Sequence, residues 1–156
     1  MKPDFPAVPV HLSTEVRRAL KQGQPVVALE STVITHGLPR PQNLELARDM
    51  ERSVREEGAT PATVAFLDGH LHIGLNNTEL ERLANDDDVM KVGPRDFANV
   101  MVRGGNGGTT VAGTMLACGG PWRDGYFKKG VDRLTQDEVM EKLGPPKPDP
   151  LGFPDA

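Results

Sequence analysis

The chain has 156 residues, enough for one domain with its own core, and its 26% charged and 37% hydrophobic residues mark a folded globular class. A net charge of −4 argues against a nucleic-acid surface, where a clustered basic face is expected. One cysteine, Cys118, leaves no internal disulfide; MKPDFPAVPV lacks the apolar stretch of a signal peptide and no run is long enough to span a membrane, so the chain reads as cytoplasmic.

Residues 1–11 are proline-rich and read as an arm. Ser13 is placed to cap a helix over 13–22, with Val16 and Leu20 on one face, and Gly23 ends it. Val26–Leu29 is a short unbroken apolar run, which predicts a strand buried on both faces. Residues 31–42 read as a loop with turn chemistry at Gly37, Pro39 and Pro41. A helix is expected over 42–57, with Leu44, Ala47, Met50 and Val54 inward and Gly58 just past its end. Ala62–Leu67 and Leu71–Leu75, joined through Asp68, Gly69 and His70, read as a hairpin. Asn77 or Thr78 should cap a helix over 78–84. Asp86, Asp87 and Asp88 form an acidic turn, and Val89–Val92 a short strand carrying Lys91. Pro94 suits the first position of a helix. RGGNGG, Arg103 to Gly108, precedes a small-residue helix over 109–118. Beyond Gly120 only one helix is credible, Thr135 to Leu143, opened by a Thr135-x-x-Glu138 capping box. The rest of 120–156 is a proline-rich, irregular tail. Strands alternate with helices through residue 118, so the fold class is α/β, with a domain over 12–119 between arm and tail.

Several residue types carry possible chemistry. Glu30 ends a predicted strand, where α/β sheets place ligands. A carboxyl group partly desolvated there has a raised pKa and can act as a general acid; otherwise it is a polar terminus accepting loop N–H bonds. RGGNGGTT is either an anion cradle or a plain turn, and is neither a Walker loop nor a dinucleotide fingerprint. Lys91 is either an edge residue or a cation aimed at a phosphate or sugar. His70 and His72 share one strand face, as a metal pair would, but a turn histidine beside a strand histidine fits better. The Asp86–Asp88 run lacks calcium-loop spacing and reads as a solvated turn. Cys118 ends an apolar helix and reads as core.

The stretch ALEST-x-x-x-HG-x-P-x-PQN, Ala28 to Asn43, resembles the N-terminal signature of the pseudouridine-5′-phosphate glycosidases. EEGATPATVAFLDG (Glu56–Gly69), VMKVGPRD (Val89–Asp96) and NGGTTVAGTM (Asn106–Met115) continue the resemblance in order, over roughly residues 12–118. The resemblance implies an α/β fold with a mixed sheet flanked by helices, assembled as a homotrimer. It implies reversible cleavage of the carbon–carbon glycosidic bond of pseudouridine 5′-phosphate to uracil and ribose 5-phosphate, with a divalent metal, manganese(II). By the same resemblance Glu30 takes the position of the proton donor, and Lys91 and Val111 those of substrate contacts. The family's nucleophilic lysine and metal-ligand aspartate belong to a segment with no counterpart here. No metal ligand is assigned, and the chain reads as truncated or fused after about residue 119.

Overall fold

The structure, a computed structural model, describes residues 10–119. The predicted helix over 135–143 and the tail lie outside the described residues. Six strands make one mixed sheet in the order β1-β4-β3-β6-β5, with β2 also paired to β3.

Strand β1, Val10–Leu12, runs parallel to β4, His70–Ile73. Val10 and His11, expected in the arm, are therefore sheet residues. The prolines at 3, 6 and 9 stop short of Val10, so nothing prevents its backbone from pairing. Helix α1 spans Thr14–Lys21, and the Ser13 hydroxyl accepts from the Val16 N–H at 3.2 Å.

The hairpin forms as expected, with a tighter turn. β3 covers Thr60–Leu67, and Leu67 pairs directly with His70. The two residues between, Asp68 and Gly69, both have positive φ, the geometry that matches the twist of antiparallel strands. Helix α2, Gln42–Glu56, agrees with its expected limits, and Gly58 follows at φ +79°. Helix α3, Asn77–Asn85, is capped by Asn76 instead, through a reciprocal box with Glu79. Strand β5, Val89–Val92, is as expected. Helix α4, Phe97–Arg103, begins three residues after Pro94, because the Asp96 carboxylate accepts from the Gly93 N–H and holds residues 94–96 as a turn.

Two further sequence expectations fail. The run NGGT, Asn106–Thr109, is a strand, β6, between β3 and β5. Its glycines answer to packing: a Cβ on Gly107 would lie 2.4 Å from the Val92 Cγ2. Strand β2, Val26–Leu29, is not buried on both faces; Val27 is 40% exposed. It pairs with β3 alone among the described residues, so one of its edges is open.

Apolar packing covers both faces of β3. Ala65 and Leu67 meet Ile34, Ala47, Leu80 and Leu83 from α2, α3 and the loop after β2. On the other face Phe66 packs edge-on against Phe97 of α4, with ring centres 4.9 Å apart. Helix α5 spans Val111–Gly119. No helix among the described residues is long and apolar enough to cross a membrane.

His11, His70 and His72 meet where β1 pairs with β4. His11 stacks on His72 at 4.8 Å and meets the edge of His70 at 5.4 Å. Burial holds the His72 pKa below its ordinary 6.5, with the nearby Glu79 pulling the other way. On acidification the unfolded chain therefore binds this proton first. The stability due to His72 is complete above 6.5 and is lost as pH falls through the folded value. Urea unfolding across a pH series should show this decline, and His72→Gln should flatten it.

Candidate active site

The site residues gather where two strands meet head-on. Thr63 of β3 pairs with Leu29 of β2 on one side, and its carbonyl accepts from the Gly74 N–H on the β4 side. Farther along the side that carries β2, Ala65 and Phe66 pair with Gly108 and Gly107 of β6, running the opposite way. The carboxyl ends of β2 and β6 thus converge beside the middle of β3. The Ser31 N–H donates to the Thr109 carbonyl at 3.0 Å and closes the gap.

Hydroxyl groups lock this junction. The fully buried Ser31 hydroxyl donates to the Val64 carbonyl at 2.6 Å and accepts from the Thr109 N–H at 2.9 Å. The Thr109 hydroxyl donates to the same carbonyl at 2.7 Å and lies 2.8 Å from the Thr114 hydroxyl. In a dry junction each of these groups needs its partner, which explains Ser and Thr where a core would otherwise use Ala and Val.

Glu30 stands at the lip of the junction, half-buried. Its carboxylate accepts from the Thr32 N–H at 2.9 Å, the Val33 N–H at 3.2 Å and the Thr32 hydroxyl. These donors belong to the entry of a π-helical turn, Val33–Gly37, inside the segment expected to be a plain loop. The carboxylate therefore occupies the start of that turn, where free N–H groups point outward. This geometry matches the structural role weighed for Glu30.

Lys91 pairs in register with Gly108, so both face the same side of the sheet. On that side Gly108 lies under the π-helical turn: a Cβ there would meet the Thr35 Oγ1 at 2.3 Å. Lys91 is exposed on the flank of the turn that Glu30 caps. Val111, 64% exposed, opens α5, whose start is capped by the Thr110 hydroxyl accepting from the Gly113 N–H at 3.1 Å. The topology thus brings Glu30, Lys91 and Val111 to one junction, although they are far apart in sequence.

The other candidates lie elsewhere. In RGGNGG, Arg103 ends α4, Gly104 and Gly105 form a turn under the hairpin tip, where Gly105 accepts from the Gly69 N–H, and Asn106–Gly108 belong to β6. His70 and His72 belong to the β1–β4 edge, across β3 from the junction. Asp86 accepts from the Asn106 amide at 2.6 Å and Asp87 pairs with Arg40 at 2.9 Å, so the acidic turn is structural. Cys118 is half-buried, and burial pushes its thiol pKa up, away from thiolate chemistry. Among the described residues no three His, Cys, Asp or Glu side chains are arranged to hold a metal ion. These residues therefore do not fit a manganese site by themselves.

Two supporting residues escape a reading of sequence. Thr32 holds Glu30 through both its N–H and its hydroxyl. Asn43, buried in the first turn of α2, donates to the Ile34 carbonyl at 3.0 Å and the Ala84 carbonyl at 2.8 Å, tying the π-helical turn to α3. Its spacing of four from Ala47 was the available signal, since it puts Asn43 on the helix's inward side.

Comparison with known proteins agrees with this architecture. Residues 15–120 match the family model described as Indigoidine synthase A like protein. A pseudouridine-5′-phosphate glycosidase of Jannaschia sp. (strain CCS1) is 55% identical over 109 residues, which cover 70% of this chain and 36% of that protein. One from Streptomyces griseus is 58% identical over 105 residues, 67% of this chain and 32% of that protein. The chain spans about a third of the length of the curated relatives it matches. Among solved structures, the prealnumycin C-glycosynthase in complex with ribulose 5-phosphate superposes with a TM-score of 0.63 at 38% identity, covering 73% of this chain and 36% of that one. An indigoidine synthase A-like protein of Thermotoga maritima gives 0.62 at 34% identity, covering 71% and 36%. The chain belongs to the Indigoidine synthase A like protein family.

Proposed function

We propose that residues 12–119 supply the proton-donor and substrate-contact part of a pseudouridine-5′-phosphate glycosidase site. The observation that carries this reading is Glu30, a carboxyl group fixed by three donors at the junction that also presents Lys91 and Val111. Cleaving a carbon–carbon glycosidic bond leaves its electron pair on the pyrimidine. The ring carbon that loses the sugar must then gain a proton, and Glu30 is the group to deliver it. The electron pair needed at the sugar carbon comes from a nucleophile outside these residues. Lys91 provides a cation for an anionic sugar phosphate, and Val111 an apolar contact at the start of α5.

Manganese, homotrimer assembly and the pair of products, uracil and ribose 5-phosphate, belong to the same proposal. Metal ligands would come from outside the described residues. A phosphorylated substrate does not cross membranes unaided, which places the work in the cytoplasm. No nucleic-acid partner is invoked.

A second reading is favoured by the chain's span of about a third of its relatives: by itself it binds without turnover. The 156-residue protein mixed with uracil, ribose 5-phosphate and manganese should form no pseudouridine 5′-phosphate by chromatography. Titration with ribose 5-phosphate by nuclear magnetic resonance should shift signals around Lys91. Lys91→Ala should weaken binding by about tenfold or more, as loss of a charged hydrogen bond does. Binding unaffected by Lys91→Ala would sink the assignment of that lysine.

A further inference from the structure

Strand β1 is held to the fold along one edge. It ends the sheet and, among the described residues, pairs with β4 alone, matching Val10 with Leu71, His11 with His72 and Leu12 with Ile73. The buried Leu12 adds to this hold, and the Ser13 N–H donates the last bond of the ladder to the Ile73 carbonyl at 3.1 Å. Helix α1, which follows, is anchored separately through the buried Val16 and Ala19. The strand can therefore leave while the helix stays.

The three rings lie on one side of this pair: His70 and His72 are two apart on β4, and His11 is opposite His72. His11, the one member from β1, has the other two ring centres 4.8 and 5.4 Å away. Imidazole gains its positive charge between about pH 5 and 8. Acid thus sets His11 against two like charges on its partner strand. The charges around them do not offset this. Asp68, in the hairpin turn, is held by Arg82 of α3 at 2.8 Å, and Glu15 of α1 by Arg55 of α2 at 3.1 Å. Each of these carboxylates already has its guanidinium. That leaves Glu79 of α3, which lies 3.5 Å from the His72 Nδ1 and also accepts from the Asn76 N–H. One carboxylate then faces three rings. Water does little for the inner one, since the His72 side chain is 15% exposed.

We propose that β1 is an acid-released latch: protonation of His11, His70 and His72 drives Val10–Leu12 off β4, baring the β4 edge while the rest of the sheet stays intact. The release also removes one wall, His11 and Leu12, from the cleft that these residues line with Ser13, Glu15, His72 and Glu79. This is distinct from the loss of overall stability that the burial of His72 alone produces. That loss needs no charge on β1, whereas the latch opens because the charge on His11 is repelled across the strand pair. The latch lies across β3 from the Glu30 junction, so it is independent of the chemistry assigned there.

Amide hydrogen exchange of the 156-residue chain tests this, with rates corrected for the intrinsic effect of pH. The reference is the Gly74 N–H, which bonds from the far side of β4 to the Thr63 carbonyl at 3.0 Å. Between about pH 7.5 and about pH 5.5, protection of the Ser13 N–H should fall at least about tenfold more than that of Gly74. His11→Gln removes the charge from β1 and should bring the two changes within about twofold of each other. His11→Phe keeps a ring against His72 without the charge and should do the same, so a loss of stacking is separated from a loss of charge. Equal falls at Ser13 and Gly74 in the unsubstituted chain would overturn the proposal, because the effect of acid would then be global. So would a selective Ser13 loss that survives both His11 variants, because the charge on β1 would then play no part.

Discussion

Gly69→Ala is expected to lower stability by about 2 to 5 kcal/mol, combining about 1–3 kcal/mol for overpacking with about 1–2 kcal/mol for left-handed backbone. Gly69 closes the β3–β4 hairpin at φ +75°, and its added Cβ would lie 2.9 Å from both the Gly104 Cα and the Met101 carbonyl oxygen. These are backbone atoms, so no side-chain rotation relieves the contact. The turn beneath cannot retreat freely either, because Gly105 accepts from the Gly69 N–H at 2.9 Å and Asn106 accepts from the Asp68 N–H at 2.9 Å. Gly58→Ala is the control. It has the same backbone hand, φ +79°, with nothing within 4 Å of its added Cβ. It should cost only the left-handed part, about 1–2 kcal/mol. Chemical denaturation of the two variants separates the terms. Equal losses would show that the hairpin tip is not seated tightly on the Gly104–Gly105 turn.

Ser31→Ala is expected to cost about 1–3 kcal/mol, because it leaves the buried Thr109 N–H without its acceptor. The Val64 carbonyl keeps the Thr109 hydroxyl, so the damage falls on β6 rather than β3. Thr109→Val removes that second donor and also strands the Thr114 hydroxyl. The double variant should therefore depart from additivity by about 0.5–3 kcal/mol, as residues sharing one partner do. Denaturation of both single variants and the double variant gives this coupling energy directly. Additive losses would mean that the two hydroxyls act independently and that the junction is not one unit. Since Glu30 immediately precedes Ser31, the double variant should also disturb the Glu30 signals in nuclear magnetic resonance spectra.

Much of this was legible in the chain. Val89–Val92 and the Ala62–Leu67 hairpin arm have the run length and turn chemistry of strands, and both are strands. Helix α2 keeps its limits because its ends carry recognisable signals. The misreadings have a common cause. Asn106–Thr109 looks like a loop because glycine disfavours a strand locally, yet Val92 and Thr35 leave no room for side chains there. Val26–Leu29 has the composition of a fully buried strand, and composition reports what a strand is built for rather than how many neighbours it has. The motif resemblance gave roles to Glu30, Lys91 and Val111, while Thr32 and Asn43, inside the same matched stretch, received none. Their roles depend on which carbonyls and carboxylates come within reach, and that is set by the tertiary fold.

The meeting of β2 and β6 has a consequence in time. The bond from the Thr109 N–H to the Ser31 hydroxyl joins residues 78 apart, and the bonds from the Ser31 and Thr109 hydroxyls to Val64 span 33 and 45. No local segment can make this arrangement. During synthesis Glu30 leaves the ribosome early, but the wall opposite it exists only once Thr109 has followed. Such long closures come late in folding. The acid, held by its neighbours Thr32 and Val33, is therefore made before the wall that faces it.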